Sequence, residues 1–492
     1  MSPTPEQFAA LFEPRGVVIA GASTHPGKIG FVSLHNLLAC GYQGRIFATN
    51  LDGVEVLGVQ TLRSIEEVPE GAADLVFVCT PKAVNEDLLK SAAARGIRAA
   101  FLTSAGYGEA GEQGRAGERA LVELCEQLGI LLVGPNGQGV VSTPASMCAQ
   151  IVAPYPPAGT IGVASQSGNF VSSVMNWSCA TGVGISRAVS AGNAAATSVA
   201  QLLEHYAQDP ATSVGLAYVE GIEDGRTFLD SIQRVGQQMP LVLVKGGSTS
   251  GGARAAASHT GSLASDDRTF DGACRQAGVT RAATIEEAFE AAATFATQPL
   301  PRGNRVAVVT TAGGWGVVTA DAISRDPDLE LVELPEDLRD QIDQRLPPRW
   351  SRSNPIDMAG GETRDTIPEV LELVAAHPDV DAVVYLGLGI QSNQARMLRE
   401  GPFAEDPDVQ RIVAYHERQD ARYARAAHDA SVATGKPVLV ATELAAAFGD
   451  NPGPATVRET GRLCYPSADR AVTALGHLWR HSRHRLRRGL TA

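Results

Sequence analysis

One histidine lies in a stretch of chain that contains almost no side chain large enough to pack. From residue 246 to residue 264 the sequence reads GGSTSGGARAAASHTGSLA, in which only Arg254, His259 and Leu263 are not Gly, Ala, Ser or Thr. Residues of this kind bury little apolar surface, so the segment is predicted to be a long flexible loop after an apolar strand. An imidazole is largely uncharged near neutral pH and can accept a phosphoryl group and return it. The sequence therefore favours His259 as a phosphoryl carrier.

Metal binding is the alternative role for this histidine. No second His, Cys or Asp lies near His259 at the spacing of metal ligands, although ligands from distant parts of the chain remain open. The seven cysteines are scattered without a CxxC pair, which indicates neither a zinc site nor a disulfide framework. We therefore predict no metal site. Ordinary helical or surface positions explain the other histidines considered, which are His205, His377, His416, His428 and His477.

A second candidate site is the tetrapeptide Ser165, Gln166, Ser167 and Gly168, which follows the apolar run Ile161–Ala164 and precedes a helical stretch. A strand that ends in small residues and opens a helix directs unpaired N–H groups outward, with the positive end of the helix dipole behind them. Three polar side chains stand beside those donors, and a glycine permits close approach. The loop suits a phosphoryl group. Simple capping of the helix by a serine is an alternative that is compatible with this function.

The first glycine-rich loop, GASTHPGKIG from Gly21 to Gly30, is a degenerate form of the dinucleotide-binding motif. Short turns often contain glycine for steric reasons, so the motif alone does not identify a ligand. Lys28 favours a bound anion, because a cation at a helix N-terminus otherwise opposes the helix dipole. A nicotinamide-dependent oxidoreductase is disfavoured. The acid that would bind a ribose hydroxyl has no clear candidate, since Asp52 lies beyond the end of the second strand.

These loops follow apolar runs that predict buried strands. Three runs that end abruptly in small residues look like the first strands of three sheets, and the third of them, Val306–Thr310, leads into Thr311–Gly314. Runs without alternation are typical of parallel sheets that are covered on both faces. Further runs of this kind alternate with helical stretches, so the predicted fold class is α/β with three doubly wound domains. The further runs lie at 75–78, 99–102, 130–133, 214–219, 241–244, 382–385 and 437–440.

Proline-rich segments at 154–158 and 298–302 mark the expected domain boundaries, because proline fits neither a central strand nor a helix interior. The predicted domains are 1–153, 159–297 and 303–480, followed by a basic tail at 481–492. We interpret the basic run Arg480–Arg488 as a frayed, solubilising end, with a docking patch for an acidic partner as the alternative. The formal net charge of −13 argues against broad nucleic-acid binding. No leader sequence and no apolar stretch of membrane-spanning length is seen, so we expect a cytoplasmic protein that does not bind membranes.

Several short strings, in their order along the chain, carry a family resemblance. The chain resembles the α subunit of NDP-forming acyl-CoA synthetases, above all the ADP-forming acetyl-CoA synthetases and more remotely succinyl-CoA synthetase. The resemblance extends from about Phe12 to Ala474, and ASHTGSLA around His259 is its sharpest motif. The strings are GASTHPGKIG at 21–30, GPNGQG at 134–139, SQSG at 165–168, SAGN at 190–193, YVEGIED at 218–224, KGG at 245–247, ASHTGSLA at 257–264 and SNPIDM at 353–358.

The resemblance implies a Rossmann-like CoA-binding domain followed by two flavodoxin-like ligase domains. It also implies that His259 is phosphorylated, that Glu220 orients its ring, and that the helix after SQSG receives the phosphoryl group. A carboxylate on one ring nitrogen would fix the tautomer and stabilise the cationic phosphoimidazole. The residues implied to contact CoA are Gly21, Ala22, Ser23, Lys28 and Gly30, and those implied at the acyl and phosphate site are Asn136 and Gly137.

The implied reaction interconverts a carboxylic acid, CoA and ATP with acyl-CoA, ADP and phosphate, through an acyl phosphate and a phosphohistidine. The sequence contains neither an ATP-grasp domain nor a GxxxxGK[ST] loop. We therefore expect a separate ATP-grasp β subunit that binds ATP or ADP with Mg²⁺, in a complex such as α2β2. One departure concerns the residues after SAGN: the family usually has an acid there, whereas this chain has Ala194–Thr197. This departure supports the alternative of a non-catalytic, CoA-binding regulatory protein.

Overall fold

The computed structural model describes residues 3–152, 154–222, 224–252, 254, 266–358, 365–444 and 449–490. The chain divides into two compact units. Unit 1 comprises Met1–Ala180 and Gly184–Ala292, and unit 2 comprises Thr181–Val183 and Ala293–Ala492. The predicted phosphoryl carrier, His259, lies outside the described residues, so its role stays a prediction.

The first sheet of unit 1 contains five parallel strands in the order β2-β1-β5-β6-β7. Its central strands are buried along their whole length, which explains why their sequences are uninterrupted apolar runs. The runs predicted at 75–78 and 99–102 match two strands at both ends. The elements are α1 Pro5–Phe12, β1 Gly16–Ala20, α2 Ile29–Ala39, β2 Arg45–Thr49, β3 Glu55–Val56, β4 Val59–Gln60, β5 Leu75–Val78, α3 Asn85–Ala94, β6 Ala99–Leu102, α4 Glu112–Leu128 and β7 Leu131–Val133.

The second sheet of unit 1 has seven strands in the order β14-β13-β12-β10-β11-β8-β9. Five of them are parallel, and the hairpin of β8 and β9 is added to one edge in the antiparallel sense. The elements are β8 Gly139–Ser142, β9 Met147–Gln150, β10 Ala158–Ser165, α5 Gly168–Thr181, β11 Ile185–Ser190, α6 Val199–Tyr206, β12 Val214–Val219, α7 Gly225–Gln238, β13 Leu241–Lys245, α8 Asp267–Ala277, β14 Thr280–Ala282 and α9 Ile285–Thr297.

The β8–β9 hairpin was not predicted from the sequence. It joins the second sheet although it precedes the proline segment at 154–158, where the sequence places the first domain boundary. The hairpin also contacts the first part of the chain, because the Asn36 Nδ2 atom donates to the Gln150 carbonyl oxygen at 2.8 Å. The two sheets of unit 1 are thus connected by a shared element, and the domain limits drawn from the prolines stay a prediction.

A buried ion pair also links distant parts of unit 1. Arg187 on β11 is 2% exposed, and its guanidinium lies 2.9 Å from Asp209 and 2.7 Å from Glu13, which follows α1. Burial tends to raise the pKa of Asp209, but the hydrogen bonds and charge of Arg187 outweigh burial and lower it. The carboxylate of Asp209 is therefore held in its charged form against the arginine.

Unit 2 contains one parallel sheet in the order β16-β15-β18-β19-β20, with β17 also paired to β15. Within the described part of the chain, no helix is long and apolar enough to cross a membrane. The elements are β15 Arg305–Thr310, α10 Gly313–Arg325, β16 Glu330–Leu331, α11 Glu336–Asp343, β17 Ile356–Asp357, α12 Thr366–Ala376, β18 Ala382–Leu386, α13 Ile390–Arg399, α14 Pro407–Thr434, β19 Val438–Ala441, α15 Pro452–Glu459, β20 Cys464–Tyr465 and α16 Ala468–Arg487.

The basic run near the C-terminus differs from the frayed tail that the sequence suggested. Residues through Arg487 form the last turns of α16, and His481 is 3% exposed. Arg480 pairs with Asp326 at 3.0 Å and Arg483 pairs with Asp328 at 2.5 Å. The charge count did not reveal that this run is part of an amphipathic helix. One face of α16 is buried within unit 2, and arginines of the helix pair with acids that lie far away in sequence.

In the described residues, β3 and β4 form a small antiparallel pair, and the three larger sheets repeat one strand order among their main parallel strands: the second strand, then the first, third, fourth and fifth. The first strand of each sheet therefore lies where the chain changes direction across the sheet. In open α/β sheets this switch point, outside the carboxyl ends of the strands, is the usual ligand site. The predicted α/β fold of doubly wound sheets is confirmed. The three loops selected from the sequence all leave first strands, at Ala20, Ser165 and Thr310.

Candidate functional site

The loop after β1 is packed tightly at its two terminal glycines. Gly21 has a φ of +89°, and its N–H donates to the Thr49 carbonyl oxygen at 3.2 Å. A Cβ atom on Gly30 would overlap the carbonyl oxygen of Gly21, so α2 can begin this close to the loop only because residue 30 is a glycine. Between them, Lys28 is exposed at the N-terminus of α2, where no side chain caps the helix. This is a suitable place for an anionic group of CoA.

The remaining predicted CoA-contacting residues lie in the same loop. Ala22 is buried, and its N–H donates to the Thr49 carbonyl oxygen at 2.8 Å. The Ser23 hydroxyl accepts the N–H of His25 at 3.1 Å. The structure thus brings all five of these residues together at the carboxyl edge of the first sheet.

Replacement of Gly30 by alanine is expected to disturb this loop. The added methyl group must displace either Gly21 or the start of α2, at a cost of about 1–3 kcal/mol in stability. We expect weaker CoA binding, measured by calorimetric titration, together with a lower melting temperature. Gly272→Ala is the matched control, because a Cβ at that helical position meets only open space. Unchanged CoA affinity in Gly30→Ala would contradict the assignment of this loop to CoA.

The SQSG segment after β10 is held by its own side chains. The Ser165 hydroxyl donates to the Ser167 carbonyl oxygen at 2.8 Å and accepts the Ser167 N–H at 2.9 Å. The Ser167 hydroxyl accepts the N–H of Phe170 at 3.4 Å, so the capping alternative raised by the sequence is present in the structure. A Cβ on Gly168 would overlap the side chain of Gln138, whose amide lies against the start of α5. Gly168 therefore permits a close approach to the start of α5, and the side chain that approaches it is that of Gln138.

Gln166 connects this segment to Glu220. The Gln166 Oε1 atom accepts the backbone N–H of Glu220 at 2.6 Å, and that of Gly221 at 3.2 Å. Glu220 is 8% exposed, and its Oε1 atom accepts the hydroxyl of Tyr218 at 2.9 Å. Burial raises the pKa of Tyr218, and the adjacent carboxylate raises it further, so the phenol stays a hydrogen-bond donor. The carboxylate is thus fixed beside the SQSG segment.

The segment that carries His259 starts beside the same carboxylate. Gly246 follows β13, and its N–H donates to the Val219 carbonyl oxygen at 2.9 Å. A Cβ at residue 246 would lie 2.5 Å from the Tyr218 hydroxyl and 3.0 Å from Glu220 Cγ. The glycine therefore lets the chain leave the sheet next to Glu220.

Asn136 and Gly137 belong to a short crossing between the two sheets of unit 1. Asn136 has a φ of +60°, and its N–H donates to the Ser104 carbonyl oxygen at 3.1 Å. A Cβ on Gly137 would lie 2.6 Å from both the Phe101 ring and the Ser190 carbonyl oxygen, so a glycine is required there. The crossing is held against the first sheet on one side and against the second sheet on the other.

Hydrogen bonds connect this crossing to the loop from Gly21 to Gly30. Ser104 donates its hydroxyl to the Thr80 carbonyl oxygen at 2.7 Å, and Thr80 packs beside Gly21. Because Ser104 also accepts the N–H of Asn136, the ends of β1, β5 and β6 and the loop after β7 form one continuous edge. The two predicted sites of the first sheet are neighbours along this edge.

A cleft of about 380 Å³ opens within unit 1 and includes residues from the SQSG segment and from the crossing that contains Asn136. Asn136 and Gln166 both line it, and so do Val219 and Gly221, the two neighbours of Glu220 in the chain. Apolar side chains, including Val199, Ile222 and Phe228, form another part of the wall. Charged side chains also line it, namely Glu109, Glu118, Asp224 and Arg115, so the cleft offers both polar and apolar contacts to a small organic ligand.

The polar residues of the cleft that were not selected from the sequence include Asn193, Glu109 and Glu118. Asn193 lies in the SAGN string, where only the missing acid after it was noted. Glu109 and Glu118 come from the turn before α4 and from α4 itself. In the sequence they resemble the solvated acids of any surface helix, and no local pattern distinguishes them. Their role depends on a contact with a strand end that lies more than 70 residues away.

Comparisons with known proteins identify domain families along the chain. A family model described as a CoA binding domain matches residues 15–143, one described as a succinyl-CoA ligase like flavodoxin domain matches residues 158–295, and a ligase-CoA domain matches residues 306–390. Among solved structures, the dinucleotide-forming acetyl-coenzyme A synthetase 1 of Ca. Korarchaeum cryptofilum, in complex with phosphate and ADP, has a TM-score of 0.82 at 28% identity. That match covers 99% of both chains.

Two curated relatives come from Pyrococcus furiosus. The acetate–CoA ligase [ADP-forming] I subunit alpha is 33% identical over 478 residues, which cover 96% of this chain and 97% of the relative. The acetate–CoA ligase [ADP-forming] II subunit alpha is 36% identical over 375 residues, or 76% of this chain and 81% of the relative. The chain therefore belongs to the family of the α subunits of ADP-forming acetate–CoA ligases.

Proposed function

We propose that the chain is the CoA-binding, phosphohistidine-bearing α subunit of an acyl-CoA synthetase that forms ADP. The observation that carries this proposal is the convergence at one cleft of Asn136, Gln166 and the chain neighbours of Glu220. Gly246, from which the chain leaves β13 towards His259, lies beside Glu220. A relative that matches the chain over nearly its full length is named as a ligase, which favours an enzyme over a non-catalytic regulatory protein.

The proposed reaction is reversible. Phosphate attacks the carbonyl carbon of acyl-CoA, the carbon–sulfur bond breaks, and an acyl phosphate and free CoA result. His259 then attacks the phosphorus atom, which releases the carboxylate and leaves the phosphoryl group on the imidazole. Transfer of this group to ADP gives ATP. The reverse sequence makes acyl-CoA from a carboxylic acid, CoA and ATP.

Residues of this chain have distinct roles in the proposal. Glu220 orients the imidazole of His259 and stabilises its positive charge after phosphorylation. Ser165, Gln166, Ser167 and Gly168, at the start of α5, receive the phosphoryl group, and the helix dipole favours its negative charge. The Gly21–Gly30 loop with Lys28 holds CoA, and Asn136 and Gly137 contact the acyl phosphate.

We further propose that ATP or ADP, with Mg²⁺, binds to a separate ATP-grasp β subunit in a complex such as α2β2. The name of the Pyrococcus relatives as α subunits supports a partner chain. The match to the acetate–CoA ligase [ADP-forming] I of Archaeoglobus fulgidus covers only 54% of that protein, so the rest of that chain is long enough for a further domain.

Reconstitution tests the proposal. We expect the chain, mixed with an ATP-grasp partner, to form a thioester from acetate, CoA and ATP with release of ADP and phosphate. The loss of the free CoA thiol measures this reaction. Omission of either protein should abolish the reaction. Tight CoA binding without ATP-dependent phosphorylation of the chain in the complex would instead identify a regulatory protein.

A further inference from the structure

We propose that Glu109 and Glu118 are positioning residues of the acyl site, which fix the side-chain amide of Asn193 and, through it, the amide of Asn136. The inference rests on the proposed function, because it assumes that the cleft of unit 1 receives the acyl group. It assigns a role to two acids that no local sequence pattern distinguishes.

Both amide hydrogens of Asn193 are used by carboxylates. Its Nδ2 atom donates to Glu109 Oε2 at 2.6 Å and to Glu118 Oε2 at 2.7 Å. A side-chain amide has two N–H donors, so this nitrogen has none left for a ligand. The Asn193 Oδ1 atom must then face the other way, where the Nδ2 atom of Asn136 lies at 3.4 Å. The two carboxylates thereby determine which face Asn193 presents to Asn136.

The carboxylates are themselves held by backbone donors. Glu109 Oε1 accepts the N–H groups of Gly106 and Tyr107, the latter at 3.2 Å, and Glu118 Oε2 accepts the N–H of Gly108 at 3.1 Å. Burial tends to raise the pKa of Glu109, but the Asn193 amide and these backbone donors outweigh it and lower the pKa. Glu109 therefore remains a pure acceptor near neutral pH.

The link between the two sheets does not depend on these contacts alone. Backbone hydrogen bonds already join the loops, because the Asn193 N–H donates to the Pro135 carbonyl oxygen at 3.0 Å and the Ala195 N–H donates to the Gly134 carbonyl oxygen at 3.1 Å. The carboxylates add two hydrogen bonds to that connection, and these also fix the orientation of the Asn193 side chain, which the backbone contacts leave undetermined.

The consequence for Asn136 is a fixed amide at the edge of the cleft. Its backbone is held by Ser104, and its Nδ2 atom by Asn193, while its remaining amide groups are available to a ligand in the cleft. An amide held at both ends can donate to an oxygen of a carboxyl or acyl phosphate group without the cost of ordering on binding. Releasing Asn193 should therefore weaken acid binding and leave the phosphoryl transfer from ATP unaffected.

Steady-state kinetics of the reconstituted complex, with acetate as the probe acid, test the proposal. We expect Glu118→Ala to raise KM for acetate by about 10-fold, with KM for CoA and the rate of His259 phosphorylation by labelled ATP unchanged. Glu118→Gln, which keeps an acceptor oxygen for Asn193, should recover to within about 3-fold of wild type. The matched control is Glu123→Gln on the exposed side of the same helix.

Two results would overturn the proposal. One is a Glu118→Ala enzyme with an unchanged KM for acetate. The other is a parallel loss of His259 phosphorylation, CoA affinity and melting temperature, which would show that the acids only brace the fold. A wild-type complex that is neither phosphorylated nor active would refute the proposed function itself. In that event a crystal structure of Glu118→Ala still decides the positioning role, since an unrotated Asn193 amide refutes it and a rotated amide supports it.

Discussion

Replacement of His259 by alanine is expected to reduce ATP-dependent acyl-CoA synthesis by the assembled enzyme by at least about 10³-fold. The imidazole is the proposed covalent carrier, so its removal should stop transfer between the acyl phosphate and the nucleotide. The measurement is thioester formation from acetate, CoA and ATP, together with labelling by γ-labelled ATP. An acid-labile, base-stable label on the wild-type chain should be absent from the variant.

His428→Ala is the matched control, because this histidine lies on α14 in unit 2, where its Nδ1 atom lies 3.0 Å from Asp429, and has no proposed role. It should keep both activity and label. CoA binding should survive in His259→Ala, since the candidate CoA loop is a separate part of unit 1. Thioester synthesis at wild-type rate in His259→Ala would refute the carrier mechanism.

Glu220→Gln is expected to lower the rate of phosphohistidine formation by about 10²-fold or more. The substitution preserves the shape of the side chain and an oxygen that can accept the Tyr218 hydroxyl, so the fold should persist. It removes the negative charge that would stabilise a cationic phosphoimidazole. Rapid-quench measurement of label transfer from ATP to the chain reports this step directly.

Tyr218→Phe provides the comparison for Glu220→Gln. It removes the hydroxyl that donates to the carboxylate and retains the charge, so we expect an effect within about 3-fold. A large loss in Tyr218→Phe with little loss in Glu220→Gln would show that the phenol, rather than the carboxylate, acts in the reaction.

Much of the fold was accessible from the sequence because its central strands are buried on both faces. Such strands are uninterrupted apolar runs, and the runs at 75–78 and 99–102 gave the strand bounds without error. The β8–β9 hairpin was missed for the converse reason. Its strands are four residues long, and Gly139, Ser142 and Gln150 at their ends leave apolar runs of only two and three residues. The tertiary contact with β11, rather than local propensity, determines this hairpin.

The candidate site divides in a similar way. Loops that follow first strands could be found, because small residues after an apolar run are a local pattern. Gln138, which covers Gly168, could not be found, since nothing in the sequence indicates that these two residues meet. The same holds for Glu109 and Glu118, whose shared partner Asn193 belongs to the other sheet of unit 1.

The short crossing that contains Asn136 and Gly137 runs directly from β7 of one sheet to β8 of the other. This connection is too short to absorb a rotation of one sheet against the other, so any such rotation must also move the Asn136 amide.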